Sequence, residues 1–200
     1  MKTVLYYSLF AYLILVFGLT FFLPTWRVWK QTGIFPITFG KSDNAHDFVG
    51  NIFKLLLILL LGMGALYAFF PPAVDYLLPV WYIRKPIMQV LGLFLLFASL
   101  IWIVVAQQQM ASSWRIGIDE KNNTNLVTTG VFAHSRNPIF LGMLFTLLGL
   151  FFVLPNALSF AILCTGFVTI HVQVRLEEAW LRHTQGLAYE EYCRKTRRWV

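Results

Sequence analysis

Five apolar runs decide what this chain can become. They cover residues 4–23, 52–70, 87–106, 139–154 and 157–174. About 20 helical residues cross the ~30 Å hydrocarbon layer of a bilayer. A segment in lipid must satisfy its own backbone N–H and C=O groups, so each run predicts a helix rather than a strand or loop. Charged residues make up 12% of the chain, about half the ~25% of a soluble domain. The mean hydropathy of +0.66 agrees. The expected fold class is therefore all-α: a polytopic membrane protein of about five transmembrane helices, ending in a helical hairpin and a tail helix. Within 200 residues these spans leave no room for a large soluble domain.

Prolines and polar residues mark the boundaries. Pro71-Pro72 stops the second run, Pro86 begins the third, and Gln107-Gln108-Gln109 ends it. Pro138 begins the fourth, where its missing N–H would be unpaired anyway, and Asn137 before it is a candidate cap. Only Pro155-Asn156 separates the last two runs, and so short a turn predicts an antiparallel hairpin. The first run follows Met1-Lys2-Thr3 and is longer than the core of a signal peptide, so it reads as a retained helix.

Lysines and arginines orient the chain. With the C-terminus inside and five spans threaded, the inner segments hold Arg27, Lys30, Lys41 and Lys54, then Arg115, Lys121 and Arg136. Arg175, Arg182, Arg194, Lys195, Arg197 and Arg198 follow them, and only Lys2, Arg84 and Lys85 fall outside. The net charge of +7 thus belongs to the inner membrane surface, and no nucleic-acid motif competes for it. The loop 26–50 reads as surface-lying, with Trp26 and Trp29 as interfacial anchors. Residues 74–85 suit an outer connection. The polar stretch 112–125, with Asp119-Glu120-Lys121-Asn122-Asn123, suits an inner loop. The compact size points to a bacterial inner-membrane protein. Cys164 and Cys193 share no metal or disulfide pattern and read as free thiols, with no metal expected.

Chemistry concentrates in the last third. Residues 126–142 run Leu-Val-Thr-Thr-Gly-Val-Phe-Ala-His-Ser-Arg-Asn-Pro-Ile-Phe-Leu-Gly, straight into the fourth span. Ionic groups this close to hydrocarbon are costly and call for a reason. Arg136 lies two residues before Pro138, where free N–H groups and the positive end of the helix favour an anion such as a carboxylate. Taken alone, it is better explained as an interfacial arginine reaching the headgroups. Glu177 and Glu178 follow the fifth span and point about 100° apart. One can accept from ligand hydroxyl or amine groups, while the other pairs with Arg175 or Arg182. A solvated pair of carboxylates explains them as well. His134 and Asn137 offer donors beside Arg136. His171 is expected to face the bundle interior, and His183 reads as a surface residue. Gly62-Met63-Gly64 fits close helix packing. Without a strand, Gly-rich loop and helix in sequence, a Rossmann-type domain is excluded.

Together these blocks resemble the isoprenylcysteine carboxyl methyltransferase family and, more distantly, the membrane phospholipid methyltransferases. The resemblance covers about residues 125–200. It rests on the signature, the hairpin, Glu177-Glu178, the block Gly186-Leu187-Ala188-Tyr189-Glu190-Glu191-Tyr192, and a basic stretch with Trp199. It implies methyl transfer from S-adenosylmethionine to a lipophilic acceptor, within a membrane and with the cofactor at the cytoplasmic end of the last helices. The division implied is 1–124 for three helices with their loops and 125–200 for the cofactor-binding region. Arg136 takes the catalytic role of orienting a charged group, and His134, Asn137, Pro138, Gly142, Glu177, Glu178, Tyr189 and Tyr192 take cofactor-binding roles. The two tyrosines and Trp199 are expected to close over the adenine. The family usually has His where this chain has Asn137, an amide that donates hydrogen bonds but is no base near neutral pH. It commonly has Tyr where this chain has Phe140. Two other readings remain: an NADPH-dependent membrane reductase of the sterol type, and a non-catalytic membrane scaffold.

Overall fold

The computed structural model describes residues 2–40, 42–119, 122 and 125–200. Lys41, Glu120, Lys121 and Asn123, read above as loop residues, lie outside the described residues. The described chain forms seven α-helices: α1 (Lys2–Phe17), α2 (Leu23–Thr32), α3 (Ala45–Phe69), α4 (Pro86–Met110), α5 (Pro138–Val153), α6 (Ala157–Gln185) and α7 (Leu187–Lys195). Four stretches are long and apolar enough to cross a membrane: Val4–Thr32, Ala45–Phe69, Pro86–Ser113 and Ala157–Gln185. The fourth apolar run gives the shorter α5, of 16 residues.

Several helices overrun the bounds that hydropathy alone sets. α3 starts at Ala45 because the Asn44 side chain accepts from Asp47 N at 2.7 Å and caps it. α6 continues past 174 to Gln185, so Glu177 and Glu178 sit inside a helix. α1 passes into α2 through a π-helical turn, Gly18–Phe22. Pro24 has no N–H, so the carbonyl of Thr20, four residues earlier, loses its α-helical donor. Gln107 of α4 supplies one instead, Nε2 donating to Thr20 O at 2.7 Å. The helix then runs on to Gly33, whose φ of +70° ends it. Trp26 and Trp29 on α2 are exposed.

The tightest helix pair is α4 with α5. A Cβ on Gly92 would lie 2.7 Å from Gly149 O, and one on Gly149 would lie 2.9 Å from Gly92 O. Backbones this close are the usual device where lipid tails compete equally for apolar side chains. Ser99 and Thr146 share a hydroxyl contact at 2.9 Å across the same pair, and Trp102 Nε1 donates to Pro138 O at 2.9 Å. α6 closes on α5 where Gly166 meets Leu147.

Asn156 locks the α5–α6 turn. Its side chain accepts from Ser159 N at 2.9 Å, Ser159 Oγ accepts from Asn156 N at 3.1 Å, and Asn156 Nδ2 donates to the Tyr67 hydroxyl at 3.0 Å. Val80 N donates to Pro155 O at 2.9 Å, which folds the 71–85 connection over this turn. At the opposite end, Thr38 and Ile116 pair their backbones, and Ile118 N donates to His46 Nε2 at 2.8 Å.

If the Gly92–Gly149 crossing sets the α4–α5 geometry, Gly92→Val should lower stability by about 1–3 kcal/mol through overpacking. Gly62→Ala, whose Cβ meets nothing within 4 Å, should be neutral or slightly stabilising. Thermal unfolding in detergent checks both.

Candidate functional site

The signature enters its turn at Gly130, with φ of +65°. A Cβ there would strike the Gln109 carboxamide, whose Oε1 accepts from Val131 N at 2.8 Å. The next residues, Gly130–Ala133, form one short 3-10 turn that buries Phe132. Ser135 is fully buried. Its Oγ accepts from Asn137 N at 3.2 Å and donates to Arg198 O at 3.3 Å. Pro138 is buried in the first turn of α5.

Three parts of the chain meet at Glu178. Arg136 Nη2 donates to Glu178 Oε1 at 3.1 Å and Nε at 3.3 Å. Asn137 Nδ2 donates to the same oxygen at 3.1 Å. Arg198 Nη2 donates to Oε2 at 2.8 Å, and its Nε lies 3.1 Å from both oxygens. The Glu178 side chain is 2% exposed, Arg136 10% and Arg198 32%. A carboxylate out of water is tolerable only when its lone pairs are filled, and here two guanidinia and an amide fill them. The expected pairing with Arg175 or Arg182 is not seen: Arg175 Nη1 donates to His171 O at 2.7 Å. Nor does the Asn137 side chain cap α5. Its Nδ2 donates to Glu178 and, at 3.2 Å, to Arg198 O.

The tail is fastened to the signature along its length. Arg136 N donates to Arg197 O at 3.0 Å, and Arg136 Nη1 donates to Thr196 O at 2.7 Å and Cys193 O at 3.3 Å. Tyr192 OH donates to Phe132 O at 2.6 Å. Burial pushes the Tyr192 phenol up to about 12, so it stays a donor near neutral pH. Burial, with the Glu178 charge behind it, also raises Tyr189. Its hydrogen bond to the Glu178 carboxylate holds Arg198 above the ordinary guanidinium range.

Glu177 has a different environment. Its Oε1 accepts from Gln173 Nε2 at 2.8 Å, and among the described residues no cation lies within ion-pair distance. Gln173 is buried, and its Oε1 has no partner. A buried acceptor without a donor thus lies on the same helix as a carboxylate that has all it can take.

The remaining expected site residues are spread around this centre. Gly142 packs on Ile103 of α4. His134 is exposed, outside the ion-pair network. Tyr189 and Tyr192 are buried between tail and signature, their rings 6.1 Å apart. The Trp199 ring lies tilted against His171 with centroids 4.9 Å apart, and the His171 ring centroid lies 4.1 Å from that of the exposed Phe167. His171 therefore sits at the bundle edge rather than in its interior. Sequence reasoning missed Arg198 and Gln173. Only the spacing of Gln173 and Glu177, four apart on one helix, signalled either.

The donor set suits a small zwitterion bearing an amine, hydroxyls and a carboxylate. Four of the five Arg136 N–H groups are committed to Glu178, Cys193 O and Thr196 O, which leaves one for a ligand carboxylate, whereas Gln173 Oε1 beside Glu177 has a free acceptor for an amine or hydroxyl. Of the groups on S-adenosylmethionine, the amine and the ribose hydroxyls fit the open acceptor of Gln173 beside Glu177.

A family model described as phospholipid methyltransferase matches residues 87–186, half of the chain. The matched stretch holds α5, nearly all of α4, the signature and both glutamates, and stops before α7. No curated protein matches the chain.

Removing Glu178 leaves two guanidinia facing each other in a half-buried space. Glu178→Ala should cost about 2–4 kcal/mol, Arg198 being a third exposed. It should also speed hydrogen exchange in α7 while α4 keeps its protection. Unchanged exchange in α7 would show that the ion pairs do not hold the tail.

Proposed function

The chain belongs to the phospholipid methyltransferase family, whose members are S-adenosylmethionine-dependent methyltransferases, and from that premise we propose that it methylates a lipophilic acceptor at the signature-bearing end of its helices. The observation that carries this reading is that Glu178 is saturated by Arg136, Asn137 and Arg198 while Gln173, bonded to the neighbouring Glu177, keeps a buried acceptor without a partner. S-adenosylmethionine, when bound, supplies an electrophilic methyl group on a sulfonium. Arg136 orients the donor's carboxylate, and Glu177 with Gln173 accepts from its amine or ribose hydroxyls. Glu178 fixes Arg136 and Arg198 in place, and Asn137 contributes an amide donor. Methyl transfer depends chiefly on holding two groups in line, so a rigid cradle serves it better than a proton shuttle. Tyr189, Tyr192 and Trp199 belong to a tail that closes the site and keeps water out.

In this reading residues 125–200 form the cofactor-binding region and residues 1–124 the membrane scaffold. The lysine and arginine bias supports a cytoplasmic site and C-terminus. The acceptor's tail lies among the helices and its head meets the donor at the interface. Two head chemistries have support. The family description favours a phospholipid headgroup. The resemblance of residues 125–200 to isoprenylcysteine carboxyl methyltransferases favours a carboxylate, though the tail blocks that carry it lie beyond the matched stretch. Membership of a methyltransferase family weighs against the reductase and scaffold readings.

Calorimetry of the purified protein in detergent should show saturable S-adenosylmethionine binding. Glu177→Ala and Arg136→Ala should each weaken it at least tenfold. Saturable binding unaffected by both variants, or none at all, would overturn the reading. Mass spectrometry of lipids incubated with methyl-labelled donor distinguishes label on an amine from label on a carboxyl ester.

A further inference from the structure

The two guanidinia on Glu178 differ in what they have left to give. A guanidinium carries five N–H groups in a rigid plane. Arg136 keeps a single one, on Nη2, after its bonds to Glu178, Cys193 O and Thr196 O. Arg198 holds Glu178 through Nε and Nη2, one side of its fork. Among the described residues nothing accepts from its Nη1 or from the second hydrogen of Nη2. Those atoms form the outer edge of the fork, and two parallel hydrogens there match the two oxygens of a carboxylate. The edge is also reachable. The Arg198 side chain is 32% exposed, and Nη1 is not a buried atom.

An arginine that merely faces water needs no mooring, and Arg198 is moored at both ends. Its carbonyl accepts from Ser135 Oγ at 3.3 Å and from Asn137 Nδ2 at 3.2 Å, and both residues are buried. Its guanidinium is fixed by Glu178. The rotamer freedom that a loose arginine loses on gripping an anion is thus already lost on folding. Charge points the same way. Arg136 and Arg198 share one carboxylate, so one positive charge stays uncompensated. Glu177 is bonded to Gln173 and lies beyond ion-pair distance of either guanidinium. Exposed Arg194, Lys195 and Arg197 on the same tail add to the positive field. A fixed, half-buried fork with surplus positive charge is complementary to a carboxylate.

We propose that the outer edge of Arg198 binds the carboxylate of S-adenosylmethionine, with the last N–H of Arg136 as a supplementary donor. This assignment rests on the methyl-donor reading above and adds a ligand contact from the tail, which otherwise serves only as a cover. Lysine cannot take the same part. It keeps the charge and can still pair with Glu178, but one nitrogen cannot grip Glu178 and also present a fork to a second carboxylate.

The test is calorimetry in detergent, without acceptor, using S-adenosylmethionine and decarboxylated S-adenosylmethionine. The second probe keeps the amine, ribose and sulfonium and lacks only the carboxylate. The unaltered protein should bind the first at least tenfold more tightly. Arg198→Lys should weaken S-adenosylmethionine at least fivefold and leave the decarboxylated probe within twofold. Arg198→Gln, which keeps one donor for Glu178, should do the same. Comparing two probes on one variant separates the lost fork from a damaged fold, since damage weakens both alike. Loss shared equally by the two probes in both variants overturns the proposal. So does a preference that both variants leave intact, as an edge reserved for the acceptor would give. Binding of neither probe by the unaltered protein overturns the methyl-donor reading and this assignment with it.

Discussion

One carboxylate, Glu178, holds the working end of this protein together. It lies almost wholly out of water and draws in three donors from two places: Arg136 and Asn137 before α5, and Arg198 near the C-terminus. A buried charge of this kind yields little net stability, because desolvation opposes the attraction. What it yields is a single arrangement, since any displacement of signature or tail leaves a charge unpaired. The backbone bonds from Arg136 and Tyr192 follow from that registration. The network thereby converts a loop and a tail into a fixed surface on the ends of α5 and α6.

That surface needs a rigid platform, and the glycines supply it. Gly92 and Gly149 bring α4 and α5 into backbone contact, and Gly142 receives Ile103 one helical stretch nearer the signature. Two helices in such contact cannot slide without a clash. The start of α5, which carries Arg136 and Asn137 on its leading edge, is thus held against α4. The Trp102 bond to Pro138 O reinforces the same end. Precision at the cluster comes from contacts within the bilayer rather than from the loops around it.

Much of this was legible in the sequence. Hydropathy gave the helices, and Pro155-Asn156 gave the hairpin, because short-range chemistry dictates both. Arg136 and Glu178 stood out because charge beside hydrocarbon is costly wherever it falls. Partner choice was not legible. Arg175 and Arg182 lie near Glu178 along α6, whereas Arg136 and Arg198 reach it only through the fold. The helix ends were misread for a similar reason. α6 continues past its apolar stretch because polar residues with good helix propensity extend a helix that hydropathy cannot follow. The π-helical turn at Thr20 follows from Pro24 in sequence, but its partner Gln107, far along the chain, does not.

Asn137 shows how the geometry bears on a departure from the isoprenylcysteine carboxyl methyltransferase pattern that residues 125–200 resemble. Its Nδ2 donates to Glu178 Oε1 and to Arg198 O, so the position asks for hydrogens from one atom. A neutral imidazole has a single N–H and could serve only one of these acceptors from that nitrogen. A charged imidazolium would add a third cation to a carboxylate already holding two. The amide supplies both hydrogens with no charge and no titration near neutral pH. Within the proposed reading, the residue before Pro138 therefore acts by bracing the carboxylate and the tail, and the exchange of His for Asn keeps that part of the function while removing a proton carrier that an in-line methyl transfer does not require.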